Sequence, residues 1–222
     1  FDIETDGLKP TVVWVIVTKD IDTQEVKTFY KPFDTFNEYI SKAEEVIGHN
    51  IIGYDIPVCE RLLGTTFDHC KVTDTLVLSR LANPQREAHS LDYWGGVLGN
   101  AKGTYSDWSQ LTPEMVVYCK QDVDVNEQVY ERLLYELADF GSESLLLEHK
   151  VQHIIQKQIR NGWLLDEPKA HDLVAELKEK QYDLEENVQK VFIPLPTFIK
   201  EVTPNTGTIS STEAIGKKPL LC

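Results

Sequence analysis

The sequence predicts a mixed α/β fold: a five-stranded mixed sheet flanked by helices, with a helical C-terminal extension. Three observations carry this. Strand-like segments crowd the first 31 residues, strand–helix passages follow, and beyond about residue 112 every pattern is helical. The first three strands are joined by short connections, "TDGLKP" and "DIDTQ", which suit antiparallel neighbours.

Taken in order, the strands are Phe1–Glu4, Thr11–Lys19 ("TVVWVIVTK") and Glu25–Lys31 ("EVKTFYK"). "DTFNEYISKA" then reads as a short helix with Asp34 or Thr35 as its cap. "EVIGHN" is a brief buried strand leading through "IIGYDIP" into the helix "PVCERLLG", and "CKVTDTLVLSRLA" repeats the strand-to-helix passage. "SLDYWGGVLG" is a short helix. A long helix starts at Thr112 as cap with Pro113 in the first turn, the favoured order, and is expected to end at Gly141. "SESLLLEHKVQHIIQKQIRN" is a second, amphipathic helix ending at Gly162, and a third comes after the extended "WLLD". From Pro194 the chain turns polar. We expect three parts: a catalytic domain at 1–142, a helical extension at 143–193 and a polar tail at 194–222.

The chain of 222 residues holds one ample core, or one domain and part of a second. Its first residue is already strand-like and is not methionine, so residues are expected upstream. No apolar run approaches membrane-spanning length, and no membrane partner is expected. Cys59, Cys70, Cys119 and Cys222 stand singly, which argues against a zinc knuckle or disulfide framework and for a reducing compartment. His149 and His153 lack the intervening glutamate of a zinc-binding helix and read as surface residues. The net charge of −14 opposes tight nonspecific duplex binding. It remains compatible with a nuclease whose acids recruit cations.

The carboxylates carry the chemistry. Asp2 and Glu4, two apart on a strand, share one face while Phe1 and Ile3 share the other. Alone they favour an ordinary edge strand with one wet face. On the long helix, Met115, Tyr118, Val125, Val129, Leu133 and Phe140 form an apolar stripe with Asp122 in its middle and Asp124 opposite. A carboxylate on an inward face is costly unless it is paired or metal-bound; a buried Asp satisfied by Arg or backbone amides is the plainer alternative. Asp55 precedes Pro57 at a strand–helix junction and could be only an N-cap, and Asn50 only a turn residue.

As an ordered set, Asp2 and Glu4, then Asp55, then Tyr118-x-x-x-Asp122 resemble the three motifs of the DEDDy class of 3′–5′ exonucleases, whose fold is RNase H-like. "FDIETDGL" resembles the first exonuclease motif of family A DNA polymerases. "GHNIIGYDIP", "DTLVLSRL", "HSLDYWGGVLG" and "EHKVQHIIQKQIRNGWLLD" are similar to the podovirus-type phage branch. The resemblance covers about residues 1–190; no nucleotide-incorporation motif is present, so polymerisation is not credited to this chain.

That resemblance implies Asp2, Glu4, Asp55 and Asp122 as ligands of two divalent cations, Mg²⁺ or Mn²⁺, roughly 3.5–4 Å apart. Tyr118 would orient the attacking water, since an ordinary phenol, with a pKa of about 10, is a poor base at neutral pH. Thr5, Leu8 and Asn50 would hold the terminal nucleotides, Leu8 as a wedge, although Leu8 could also be a turn residue covering the core. The expected substrate is the 3′ end of single-stranded DNA, delivered by a polymerase domain in cis or on a separate chain. A monomer in the cytoplasm of an infected or lysogenic bacterium is expected. A DEDDy-type exoribonuclease and a non-catalytic scaffold of a replication polymerase are the alternatives.

Overall fold

The computed structural model describes residues 1–101 and 103–192; the polar tail lies outside them. Within that range the chain forms five strands, β1 (Asp2–Thr5), β2 (Val13–Lys19), β3 (Val26–Phe29), β4 (Glu45–Gly48) and β5 (Lys71–Asp74). The helices are α1 (Asp34–Ile40), α2 (Asp55–Leu63), α3 (Thr75–Ala82), α4 (Leu91–Leu98), α5 (Pro113–Glu136), α6 (Ser142–Asn161) and α7 (Glu167–Val191).

Hydrogen bonding divides the expected single sheet in two. β1, β2 and β3 form an antiparallel ladder, and β4 and β5 a parallel pair. Between the two, the Phe1 amino group donates to the Ile47 carbonyl at 2.7 Å. β1 is four residues long and its register shifts between Glu4 and Thr5, which limits how far its second edge can pair. β1 ends the first ladder. Gly48 allows the close approach, because a Cβ there would lie 2.9 Å from the Phe1 carbonyl oxygen and 2.1 Å from a methyl of Ile51.

Strand alternation sorts the two faces. Ile3 pairs with Ile16 on a face buried with Phe29, Phe36 and Ile56. Asp2 and Glu4 pair with Val17 and Val15 on the other face, where both valines are buried against Met115, Cys119 and Val123 of α5. The acidic face of β1 thus lies under a helix. It is not a wet edge.

α5 begins as expected, with Thr112 Oγ1 accepting the Met115 N–H at 3.2 Å, a cap worth about 1 kcal/mol. It ends at Glu136, before Gly141. A turn closed by Phe140 N–H to Leu137 O (2.9 Å) intervenes, Gly141 caps α6, and Phe140 is exposed instead of completing the apolar stripe. Met115, Val125, Val129 and Leu133 are fully buried as the wheel requires. Lys19, at the end of β2, donates to Asp124 (2.9 Å) and Glu127 (2.5 Å), fixing the outer side of α5.

Two further expectations change. α1 is preceded by Phe33 without a side-chain cap, and α2 by Tyr54, so Asp55 is the first helical residue and not the N-cap. The chain forms two compact units, the first running from Phe1 to Gly162, so α6 folds with the sheets; α7 lies in the second.

Candidate metal and nucleic-acid site

Two of the sequence-derived acids, Asp2 and Glu4, meet under α5, and Asp55 and Asp122 lie near enough to interact by charge with Asp2 and with Cys119 respectively. Glu4, Asp55 and Asp122 are each no more than 6 % exposed, and Asp2 is half-buried. One carboxylate oxygen each from Asp2 and Glu4 and the Cys119 sulfur lie within 4.8 Å of one another. Asp55 enters from the first turn of α2. Burial, and next the Asp2 charge, hold its carboxyl well above the usual carboxylate range. Asp122 is felt at the Cys119 thiol, which burial and then the Asp2 and Glu4 charges push far up, so Cys119 stays a neutral thiol. Its Sγ lies 3.5 Å from Asp2 Oδ2.

Crowded, desolvated carboxylates resist full ionisation unless a cation neutralises them. The donor set is hard oxygen, which fits Mg²⁺ or Mn²⁺ better than a soft metal. Cys119, a buried neutral thiol, packs beside these two acids.

Tyr118 lies one turn before Asp122. Its ring meets Trp108 edge-on at 5.9 Å and Tyr105 at 6.0 Å, and Trp14 ties this aromatic wall to β2 by donating to the Trp108 carbonyl at 3.1 Å. A cleft of about 300 Å³ opens beside Tyr118, between Tyr105, Pro113 and Val117. One turn after Asp122, Asn126 Oδ1 accepts the Thr75 hydroxyl at 2.6 Å, and Thr75 Oγ1 also lies 2.9 Å from His49 Nδ1. This buried network locks the rotation of α5 to the ends of β4 and β5.

The loop after β1 is equally fixed. The Tyr54 hydroxyl lies 2.6 Å from Thr5 Oγ1 and 2.7 Å from the Gly7 carbonyl oxygen. Asp6 accepts from the Thr11 and Val12 amides at 2.8 and 3.0 Å and from the Thr11 hydroxyl at 2.5 Å; these bonds hold its carboxyl down to about 2. Arg61 donates to the Pro10 carbonyl at 2.7 Å. Leu8, on this braced loop, is 93 % exposed, so it does not cover the core. A cleft of about 390 Å³ runs beside it, past Tyr54 and Arg61. Asn50, with φ 63°, starts the turn into α2; its N–H donates to Asp74 and its side chain lies against Gly53.

Sequence reasoning missed Cys119, Tyr54, Asp74 and the Thr75–Asn126 pair. Cys119 was findable, being about 60° round the helix from Asp122. Asp74 was hidden by its ordinary place before a helix. It caps α3 through the Leu76 amide (2.9 Å) while also binding the Asn50 and Ile52 amides (2.8 and 3.1 Å). The surface reading of His149 is wrong, because it is buried against β5 with its Nε2 accepting the Asp74 N–H.

Known proteins share both the sequence pattern and the fold. The chain is 26 % identical, over an alignment 297 positions long, to the DNA-directed DNA polymerase of Escherichia phage T7, covering 94 % of this chain and 42 % of that protein. It is 27 % identical over 231 residues to the polymerase of Enterobacteria phage T3, covering 73 % of this chain and 32 % of that one. The resemblance to phage DNA polymerases is borne out. The chain spans less than half the length of these relatives. No family model matches it. Among solved structures, a nuclease in its apo form superposes with a TM-score of 0.59 at 22 % identity, covering 73 % of this chain and 84 % of that one. Brucella melitensis NrnC gives 0.57 at 20 %, with the same coverage. Both share this chain's α/β fold, and the RNase H-like class fits them. Among the described residues, no helix is long and apolar enough to cross a membrane.

Proposed function

We propose that this chain is the 3′–5′ exonuclease part of a phage replicative DNA polymerase, which releases 5′-mononucleotides from the 3′ end of single-stranded DNA. The observation that carries this reading is the meeting of Asp2 and Glu4 from β1 beneath α5, with the Asp55 carboxyl feeling the Asp2 charge and Asp122 felt at the neighbouring Cys119. In it, Asp2, Glu4, Asp55 and Asp122 hold two divalent cations. Bound there, these would supply Lewis-acid activation of water and neutralise charge at the scissile phosphate.

The remaining work falls to the protein. Tyr118, with its ring fixed by Trp108 and Tyr105, orients the attacking water. The water oxygen bonds to phosphorus as the P–O3′ bond breaks; the departing O3′ takes up one proton to become the new 3′-hydroxyl of the shortened strand, and the second proton leaves to solvent with release of the 5′-mononucleotide. Thr5 and Asn50 contact the terminal nucleotides, and Leu8 wedges the last bases apart without reading sequence. The polymerase part, in cis or on another chain, delivers frayed ends to a monomeric exonuclease in the cytoplasm of the host bacterium. This suits a net charge of −14, which gives the isolated part little grip on phosphates.

A time course of nucleotide release from matched 3′-labelled DNA and RNA strands, with and without chelator, tests the reading. Release of 5′-mononucleotides from DNA that stops with chelator is expected. Preferential digestion of RNA supports the exoribonuclease alternative, and absence of digestion on either strand supports the scaffold.

A further inference from the structure

Helix α6 reaches the support of the candidate site from behind. His149 is 8 % exposed, with Nε2 2.9 Å from the Asp74 amide and Nδ1 2.7 Å from the Leu145 carbonyl. A backbone N–H only donates and a carbonyl only accepts, so the ring is neutral with its proton on Nδ1. Asp74, fully buried, passes this seating on: its carboxylate grips the Asn50 and Ile52 amides and so fixes the turn that leads into Asp55. Two helical turns beyond His149, the same face of α6 touches that turn again. A Cβ on Gly53 would lie 3.0 Å from Gln156 Nε2 and 2.5 Å from Asn50 Oδ1. α6 thus meets the turn at two places, through the His149–Asp74 hydrogen bond and where Gln156 lies close beside Gly53.

We propose that His149 is a positioning residue for the exonuclease site and that α6 is a brace whose seating sets the Asn50–Asp55 turn. The proposal rests on the exonuclease reading, and it makes α6 part of the nuclease machinery, not merely a connection to α7. His149 touches neither strand nor cation. It acts through Asp74, fixing where Asn50 and Asp55 stand.

Two near-isosteric variants separate this role from simple packing. His149→Asn keeps an N–H toward Leu145 and removes the acceptor facing Asp74; His149→Gln places an oxygen near the Nε2 position. The measurements are Mg²⁺-dependent nucleotide release from a 3′-labelled single strand, and amide hydrogen exchange at Asn50 and Ile52. For His149→Asn we expect the Mg²⁺ concentration for half-maximal rate to rise and kcat to fall, each about 10-fold, as when a ligand loses its outer partner, with KM for the strand little changed. Exchange at Asn50 and Ile52 accelerates, and His149→Gln restores most of both effects. A folded His149→Asn protein with the wild-type Mg²⁺ requirement and unchanged exchange overturns the proposal. If that variant does not fold, Gln156→Ala takes its place at a half-buried position: faster exchange at Asn50 and Ile52 supports the brace, and unchanged exchange overturns it. A wild-type protein without divalent-dependent release defeats the exonuclease reading instead, and the exchange data still decide the brace.

Discussion

Replacing Asp74 with Asn is the sharpest probe of how the site is supported. Asp74 is fully buried; Oδ1 accepts from Asn50 at 2.8 Å and Leu76 at 2.9 Å, and Oδ2 accepts from Ile52 at 3.1 Å. Asn keeps the shape and can leave its oxygen where two bonds are made, which turns an NH₂ toward the Ile52 N–H. Ile52 is buried, so water cannot replace the lost acceptor. One stranded buried donor costs about 1–3 kcal/mol, and two bonds losing charge assistance cost about 1 kcal/mol more. Against this, burial already raises the Asp74 pKa, so a neutral side chain escapes part of the desolvation penalty. The net loss is about 2 kcal/mol, a fall in Tm of about 4–8 °C for a unit of this size. Asp55 comes directly after the turn that Asp74 holds, so kcat for 3′ release should fall about 10-fold as well. Thermal melting and a labelled-strand assay on the same preparation read both effects. An Asp74→Asn protein that melts within about 1 °C of wild type and cleaves at the same rate refutes this reasoning.

Three other outcomes are expected from the same geometry. Leu8→Ala, at an exposed loop position, should leave Tm within about 1 °C while slowing release from single strands several-fold, checked by melting and single-turnover assays. Thr75→Val withdraws the hydroxyl that Asn126 Oδ1 accepts and should lower Tm by about 5 °C, from a loss of about 1–3 kcal/mol. Asp6 has a folded pKa of about 2 against an ordinary 3.8, so its support of the Leu8 loop is complete above 3.8 and is lost as pH falls through about 2. An NMR titration of the Thr11 amide should show a midpoint near 2, and a midpoint near 3.8 would contradict the Asp6 hydrogen bonds.

Much of the site is legible in the sequence because its logic is local. Strand alternation puts Asp2 and Glu4 on one face, and helix periodicity puts Asp122 on the buried face of α5. Periodicity cannot show what covers that face: Val15, Val17 and Met115 turn a possible wet edge into a buried face, and Met115 lies on a helix about 100 residues away in sequence. Phe140 misleads because a helical wheel assumes that the helix continues, whereas α5 stops at Glu136. His149 reads as polar surface on its own helix, and its burial depends on an amide 75 residues earlier. Asp74 looks like a common helix cap, and its second grip on the turn before Asp55 exists only in three dimensions. A single five-stranded sheet is what strand count suggests, while pairing depends on edges, and β1 and β4 lie in separate ladders, with Phe1, just before β1, donating to Ile47.

The most direct test of the central claim compares the rate of 5′-mononucleotide release from a 3′-labelled single strand in Mg²⁺ for wild type and for Asp2→Ala/Glu4→Ala. With both β1 carboxylates removed, the cation site cannot assemble, and the rate should fall by about 10³-fold or more, the scale of losing the principal electrostatic stabilisation. Full activity in that double variant, or wild-type digestion that persists in chelator, contradicts the account.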